Sequence, residues 1–297
     1  MDDLFACAEF SRTRAMAPLK ELGAYEALWA RQRTTFRSLA RLFREHPDSL
    51  PSDLVPEGEA DEHRRRALDL AAAAGVDGLG VSVRGMPAYP QRLRAAAHPV
   101  EVLYHQGKLP LLTGRCIAIV GTRHPSRDGT RRAAFLARHL AKAGFVLLSG
   151  LAQGIDTAVH VAAIEAGGLT AAVLGTPLTA CFPPGNAGLQ RQLAREFLLV
   201  SQVPIVRYAR QTVDENRQFF RERNATLAAL AEATIVVEAG ERSGALIPAR
   251  YALEQGRTVF ILDHCFRDPA LIWPGRLAER GAIRVRKLED IESRLAA

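Results

Sequence analysis

The chain has no long hydrophobic run and no visible export signal. In its 297 residues no apolar stretch reaches the roughly 18 residues that a membrane-spanning helix needs. The first residues, MDDLFACAEFSRTRAM, begin with acids and contain no continuous apolar segment before a cleavage site. We therefore expect no membrane partner and a cytoplasmic location.

Cysteine and histidine are too few and too scattered for a metal site. Four cysteines lie far apart in the sequence, and no two of the eight histidines form an HxxxH pair. We predict four reduced thiols, with Cys116 in a core strand, no structural metal and no bound cofactor.

Lysine is nearly absent, whereas arginine is abundant. Only four of the 39 basic residues are lysines, and the net charge is +7 with a pI near 9.6. Such a charge suits a polyanionic partner, but it fits an ordinary solvated basic surface as well. The motifs have to decide between these interpretations.

The first part of the chain has a helical pattern. Residues 24–46 repeat apolar positions at spacings of three and four, prolines interrupt the pattern in 47–59, and a second helical segment ends at Gly75. We predict a small N-terminal helical module and linker over residues 1–85, followed by a second domain over 86–297.

The second part alternates short apolar runs with helical segments. The apolar runs are strand-like and nearly continuous, as expected for strands covered on both faces: 116–120, 145–149, 169–174, 197–201, 234–239 and 258–262, with a later strand at 282–285. The helical patterns between them are the crossovers that parallel strands need: 130–143, 156–166, 186–196, 215–232 and 245–256. The fold class is therefore α/β, with a doubly wound, mainly parallel sheet that binds its ligand beyond the carboxyl ends of the strands.

Glycine-bearing turns follow several of these strands. They are Gly121-Thr122-Arg123, the segment 149–156 (SGLAQGID), Gly175-Thr176-Pro177, and a turn with Ser243 and Gly244 before a helix. Turns of this kind offer backbone N–H groups, and helix N-termini add partial positive charge. We expect one edge of the sheet to hold an anion.

The first turn matches neither of the two common phosphate-binding motifs. It has no GxxxxGK[ST] lysine, and Gly129 comes eight residues after Gly121, which is too far for GxGxxG. A backbone N–H, the Thr122 hydroxyl and the Arg123 guanidinium could still clamp a phosphate. The alternative is an ordinary turn with a solvated arginine.

Two further segments carry chemistry-bearing residues. Asp156 and His160 are four residues apart, but no nucleophile or metal-ligand set accompanies them, so we expect a helix cap and a packed histidine rather than an acid/base pair. In FFRERN (219–224), aromatic and arginine side chains lie side by side at a helix entrance, as in sites for single-stranded nucleic acids. Phenylalanine in the core and arginine in water is the alternative for this segment.

Together the motifs resemble the bacterial DNA-processing protein A family, also called DprA or Smf. The resemblance begins at residues 89–107 and runs in one order through IVGTR (119–123), the segments 149–168, 170–189 and 221–230, and SGALIPARYALEQGRTVF (243–260), ending weakly at 277–282. It covers about 190 residues. It implies an extended Rossmann-like domain and a non-enzymatic protein of DNA uptake and transformation. Such a protein binds single-stranded DNA, helps load a RecA-type recombinase and forms a homodimer.

The resemblance also implies which residues hold the DNA phosphates. By position in the family motifs they are Gly121, Thr122, Arg123, Ser149, Gly150, Gly154, Asp156, Phe220, Arg223, Asn224, Ser243 and Gly244.

The sequence departs from the family pattern at several positions. Arg221 stands where the family usually has proline, Ala225 where it has a second arginine, and Pro248 where it has threonine. Two alternatives therefore stay open: a phosphoribohydrolase-like nucleotide enzyme, and a small-nucleotide sensor in a defence system. The first lacks its usual support, because EAGERSGALIP (238–248) contains no PGGxGT-type loop.

Overall fold

A nine-stranded sheet forms the centre of the molecule. The computed structural model describes residues 16–96 and 100–295. The strands are β1 Gly80–Val83, β2 Val102–Gly107, β3 Cys116–Val120, β4 Val146–Ser149, β5 Leu169–Leu174, β6 Leu198–Ser201, β7 Ala233–Val236, β8 Thr258–Leu262 and β9 Ile283–Val285. They lie in the order β1-β2-β6-β5-β4-β3-β7-β8-β9, and all pairs from β6 to β9 are parallel.

Helices cover both faces of this sheet. They are α1 Pro18–Ala30, α2 Phe36–Glu45, α3 Glu57–Ala73, α4 Gln91–Arg94, α5 Arg127–Lys142, α6 Ile155–Glu165, α7 Ala187–Glu196, α8 Ile205–Arg210, α9 Val213–Leu230, α10 Leu246–Glu254, α11 Trp273–Glu279 and α12 Glu289–Leu295. Among the described residues, no helix is both long enough and apolar enough to cross a membrane.

The predicted α/β fold is confirmed, including its seven parallel strands. The strands β3 and β4 are buried at every position, as expected for a sheet covered on both faces. Two strands were missed: β1 and β2 form an antiparallel extension beside β6. The β2 sequence VLYHQG becomes polar and exposed towards its end, so its apolar run is too short to indicate a strand.

The strand order reverses at β3. From β3 the chain moves in one direction through β4, β5 and β6, and then returns to the other side of β3 with β7, β8 and β9. A crevice between diverging loops opens at the carboxyl ends of strands where such a reversal occurs. The boundary between β3 and β7 is therefore the expected ligand position.

The N-terminal helices share a core with the sheet. Leu22, Leu28 and Trp29 of α1 pack in one cluster with Val102 and Tyr104 of β2. The division at residue 85 stays a prediction, although β1 shows that the chain enters the sheet before that point.

The cysteines that the structure describes carry free thiols. Cys116 and Cys265 are buried, Cys181 is half-buried, and none of the three is in a disulfide. Cys7 lies outside the described residues.

A buried carboxylate connects α1 to the α/β core. Glu26 is almost fully buried and accepts hydrogen bonds from the Tyr104 hydroxyl (2.8 Å) and the backbone N–H groups of Ile205 (2.7 Å) and Val206 (3.0 Å). The last two are the first N–H groups of α8, which have no acceptor within their own helix. Glu26 therefore satisfies three donors that would otherwise be buried without partners.

We predict that Glu26→Ala lowers the free energy of unfolding by about 3 kcal/mol or more, since it leaves buried donors unpaired. Glu26→Gln should cost less, because its carbonyl oxygen can still accept one of the three bonds. Urea unfolding followed by tryptophan fluorescence checks both values. Equal stability of the alanine variant and the parent would contradict the connecting role.

The same carboxyl group predicts a dependence on pH. Burial raises the pKa of Glu26 above its ordinary value of 4.5, against the opposing effect of its hydrogen bonds. A raised pKa in the folded state gives stability that is full below 4.5 and is lost as the pH rises through the folded pKa. The parent should therefore lose stability relative to Glu26→Gln over this interval. A stability difference that does not change with pH would contradict the prediction.

Candidate functional site

A cleft of about 420 Å³ opens at the strand-order reversal. It lies between the loop after β3, the segment that leads into α6, the middle of α9 and the loop before α10. The residues that line it are Val120, Gly121, Thr122, Arg123, Ala152, Asp156, Phe220, Arg221, Arg223, Asn224, Leu227, Ser243, Gly244, Ala245, Ile247 and Pro248. We call it the switch-point cleft.

Two backbone hydrogen bonds fix Thr122 in the loop after β3, which forms one wall of the cleft. Its N–H donates to the Glu238 carbonyl (2.7 Å), and its carbonyl accepts from the Ile155 N–H (3.2 Å). The exposed Arg123 follows, and its guanidinium donates no hydrogen bond to any other described residue. A rigid backbone therefore presents a positive charge that remains available to a ligand.

The N-terminus of α5 is already occupied by a carboxylate of the protein itself. Glu238 accepts from the Ser126 N–H (2.9 Å) and the Ser126 hydroxyl (2.7 Å), while the Ser126 Oγ accepts from the Gly129 N–H (2.9 Å). A Cβ on Gly129 would lie 2.0 Å from the Glu238 carboxylate, so a larger residue would displace that carboxylate. The expectation that this helix end adds positive charge for a ligand is therefore wrong for α5.

The loop between β4 and α6 has an unusual backbone. Leu151 has a positive φ of 62°, which is uncommon for a residue with a side chain. Its carbonyl accepts from the Asn186 side chain (2.9 Å), which also donates to the Thr157 hydroxyl (3.0 Å). Gly154 has a φ of 84°, and a Cβ there would lie 2.6 Å from the Thr122 carbonyl. Glycine thus allows this loop to contact the loop after β3.

Arg223 lies beneath the cleft and connects α9 to two strand ends. Only 8% of its surface is exposed, and one guanidinium nitrogen donates to the carbonyls of Gly150 (2.8 Å) and Val173. A Cβ on Gly150 would lie 2.1 Å from that nitrogen, so a larger residue would displace the arginine. The structure gives Arg223 a supporting position, and its predicted contact with DNA stays a prediction.

Asp156 balances the charge of Arg223 within the protein. Burial raises the pKa of Asp156, and the positive charge of Arg223 together with the Ala152 N–H (3.2 Å) acts against that rise. Burial likewise lowers the pKa of Arg223, which Asp156 opposes and the positive charge of Arg123 reinforces. The floor of the cleft is thus internally compensated, and its surplus positive charge comes from Arg123 and the exposed Arg221.

Two aromatic rings border the cleft. Phe220 lines it and meets Phe182 edge to face, with 5.4 Å between the ring centroids. Phe182 is 48% exposed, which is high for a phenylalanine. Phe219 points the other way, into the core beside Trp29. The predicted helix entrance is also corrected, because FFRERN lies inside α9 rather than at its start.

The structure brings nine of the twelve predicted site residues into the lining of the cleft. The other three, Ser149, Gly150 and Gly154, support it from behind. The Ser149 hydroxyl is fully buried and donates to the Ile119 carbonyl (2.8 Å), so we assign it to the support of the loop.

Sequence reasoning missed Phe182, Arg221 and Ile247 as site residues. Arg221 stood in the FFRERN segment that suggested binding of single-stranded nucleic acid, but it was not among the residues predicted to hold the DNA phosphates. For Phe182 the sequence signal was weak: a large apolar residue between Cys181 and two prolines, in a segment with no helical or strand pattern.

No acid/base pair forms between Asp156 and His160. The His160 ring is fully buried, its Nδ1 lies 2.7 Å from the Thr170 hydroxyl, and burial lowers its pKa to about 3. Asp156 itself lies in the first turn of α6, whose N-cap is Gly154, so the predicted cap is wrong in detail. Among residues 16–96 and 100–295, no three acidic, histidine or cysteine side chains are grouped to hold a metal ion.

Known proteins are similar to this chain in both sequence and fold. The family model described as DNA recombination-mediator protein A matches residues 81–296. The DNA processing protein DprA of Bacillus subtilis is 36% identical over 204 residues, which are 68% of this chain and 67% of that protein. Across the curated relatives that it matches, the shared region spans 44% to 70% of the relative's length.

Two solved structures resemble this fold. DNA processing protein A of Streptococcus pneumoniae has a TM-score of 0.66 and 26% identity, and the match covers 95% of this chain and 94% of that one. The second is a Helicobacter pylori DNA processing protein A, from a study of its single-stranded DNA binding mode, with a TM-score of 0.61 and 26% identity. That match covers 74% of this chain and 97% of the other. Because the family model matches more than half of this chain, the chain belongs to the DNA recombination-mediator protein A family, also called DprA or Smf.

Proposed function

We propose that this protein binds single-stranded DNA in the switch-point cleft and acts as a recombination mediator without catalysing a reaction. The observation that carries the proposal is the combination of free cations and open aromatic rings above a floor that is internally neutral. Arg123 and Arg221 supply the cations, and Phe220 and Phe182 supply the rings. Arginine pairs with phosphate, while an aromatic face stacks on an unpaired base of any sequence.

The aromatic rings favour a single strand over a duplex. Bases in a duplex stack on each other, so a phenylalanine can stack on them only after the helix is opened. The Helicobacter pylori relative, whose binding of single-stranded DNA is described in its structural study, supports the same ligand class.

The lack of a catalytic group set supports a binding role. The cleft holds one carboxylate, Asp156, which is compensated by Arg223, and the buried His160 does not contact it. Acid/base catalysis needs a titrating group within reach of the reacting atom. Among the residues that line the cleft, Asp156 is the one carboxylate, and its pairing with the charge of Arg223 argues against its use as the acid or base of a phosphoribohydrolase-like reaction.

The partners and location of the protein belong to the same proposal. We expect it to help load a RecA-type recombinase during DNA uptake and transformation, to form a homodimer and to act in the cytoplasm. These expectations follow from the family resemblance. Recombinase filament assembly on DNA with and without this protein would test the first of them.

We predict that Arg123→Ala weakens oligo-dT binding by about one to two decades, because a charge-assisted hydrogen bond is worth roughly 1.5–3 kcal/mol. Arg123→Lys should recover part of the loss, since it keeps the charge but not the planar fork. Fluorescence anisotropy measures both affinities. The matched control is Arg138→Ala on α5, whose side chain is exposed, lies outside the cleft and comes within 3.7 Å of Glu165.

The melting temperature of Arg123→Ala should stay close to that of the parent, because an exposed arginine contributes little to folding. If the folded variant binds oligo-dT as tightly as the parent, the turn after β3 is not a phosphate site.

We predict that Phe220→Leu weakens single-strand binding by about 1–3 kcal/mol, the usual value of one stacked base. Leucine keeps apolar contact with Gly175 but has no ring face to offer a base. Competition with a duplex of the same length separates stacking from charge. A variant that loses single-strand and duplex affinity equally would argue against stacking.

We predict that the purified protein does not hydrolyse ATP, because the loop after β3 has no P-loop lysine. Phosphate release is the measurement. Turnover that Gly121→Val abolishes would contradict the binding-only proposal. Tight binding of a mononucleotide that oligo-dT cannot displace would favour the small-nucleotide sensor instead.

A further inference from the structure

The helix α2 carries a row of arginines on its outer face. Its buried side is formed by Leu39, Ala40 and Phe43. Arg37, Arg41 and Arg44 are all exposed and are spaced four and three residues apart, so they lie on one face of the helix. We call these three residues the arginine stripe.

The start of α2 is held in a defined place. Thr35 and Ser38 form a reciprocal capping box: the Ser38 N–H donates to the Thr35 hydroxyl (3.1 Å), and the Thr35 N–H donates to the Ser38 hydroxyl (2.8 Å). The Phe36 ring packs edge to face against Trp29 (4.6 Å between centroids) and Phe219 (6.1 Å). The first turn of α2 is therefore packed directly on α9.

The contact between Phe36 and Phe219 brings the Arg37 end of the arginine stripe towards the switch-point cleft. Phe219 contacts α2, and the next two residues of α9, Phe220 and Arg221, line the cleft. Arg37 follows Phe36 directly, and Arg221 lies two residues after Phe219. Both arginines therefore lie next to the contact between α2 and α9. Burial raises the pKa of Tyr251 on α10, and both Arg37 and Arg221 are near enough to oppose that rise.

The arginine stripe keeps most of its positive charge available. Arg41 approaches Glu45 at 3.9 Å, with both side chains largely exposed, which is a weak pairing. Arg37 and Arg44 form no ion pair with any other residue that the structure describes. Glu222 and Glu254 lie near Tyr251, and their negative charges offset part of the positive charge of Arg37.

We propose that the arginine stripe extends the DNA path, so that a strand leaving the cleft past Arg221 runs along the outer face of α2. This inference rests on the proposed function of the cleft. Arg37 and Arg44 are seven residues apart, which corresponds to about 10 Å along a helix axis. A stacked strand rises about 3.4 Å per nucleotide, so the arginine stripe spans about three nucleotides.

Oligonucleotide length separates the arginine stripe from the cleft. An oligo-dT of about 6 nucleotides fills a site of the cleft's size, whereas one of about 20 nucleotides also reaches the stripe. The test variant is Arg37→Gln, Arg41→Gln and Arg44→Gln together, because glutamine has nearly the same helix propensity as arginine. The matched control replaces three exposed arginines outside the cleft lining with glutamine: Arg65, Arg66 and Arg138.

We expect the triple variant to bind the short oligonucleotide like the parent and the long one about tenfold more weakly. Its log–log salt slope for the long oligonucleotide should be shallower by about 2, since each lost phosphate contact removes about 0.7. The control variant should behave like the parent at both lengths. Circular dichroism and urea unfolding confirm that all three proteins are folded.

The remaining outcomes overturn the inference in distinguishable ways. If the triple variant matches the parent at both lengths and in salt slope, the arginine stripe is an ordinary solvated face, and the cleft proposal stands. If the triple and control variants lose affinity equally, the effect is general charge and not a path. If the parent itself binds neither oligonucleotide, the proposed function fails first.

Discussion

The candidate site depends on the hydrogen bonds that the buried guanidinium of Arg223 donates. This guanidinium joins the middle of α9 to the carbonyls at the ends of β4 and β5. The Gly150 carbonyl belongs to the loop that leads into α6, the Val173 carbonyl lies near the end of β5, and Asp156 supplies the compensating charge. An uncompensated buried arginine would be costly, so the helix, the two strand ends and the acidic residue form one unit. The loops of the cleft are thereby held in place before any ligand arrives.

The same arrangement decides which charges a ligand meets. Two carboxylates near the cleft are already committed: Asp156 to Arg223, and Glu238 to Ser126 at the start of α5. They therefore repel an approaching polyanion less than free acids would. Arg123 and Arg221 remain at the surface, beside the exposed ring of Phe182 and the half-buried ring of Phe220. Such a surface suits a flexible strand with separate phosphates and bases better than it suits a small anion.

The sequence predicted the parallel sheet because each strand from β3 to β8 is a short apolar run between helical patterns. It missed β2, where VLYHQG becomes polar and exposed towards the end of the strand. Within the site, the glycine turns were found because strand ends converge on one edge of a parallel sheet. The direction of a side chain was not predictable. Phe219 and Phe220 are adjacent in sequence, yet one packs on Trp29 and the other faces the cleft. Arg223 could not be recognised as buried, since its partners are carbonyls far away in the chain.

Hydrogen–deuterium exchange with and without oligo-dT tests the central claim most directly, because it reports on the backbone at every position of the cleft at once. If a single strand occupies the switch-point cleft, amide exchange should slow in peptides that cover residues 121–126, 150–156, 219–224 and 240–246. Peptides from the opposite end of the sheet, such as 142–146, should exchange as in the free protein. Protection that is absent from all four segments, while the oligonucleotide is bound, would contradict the account.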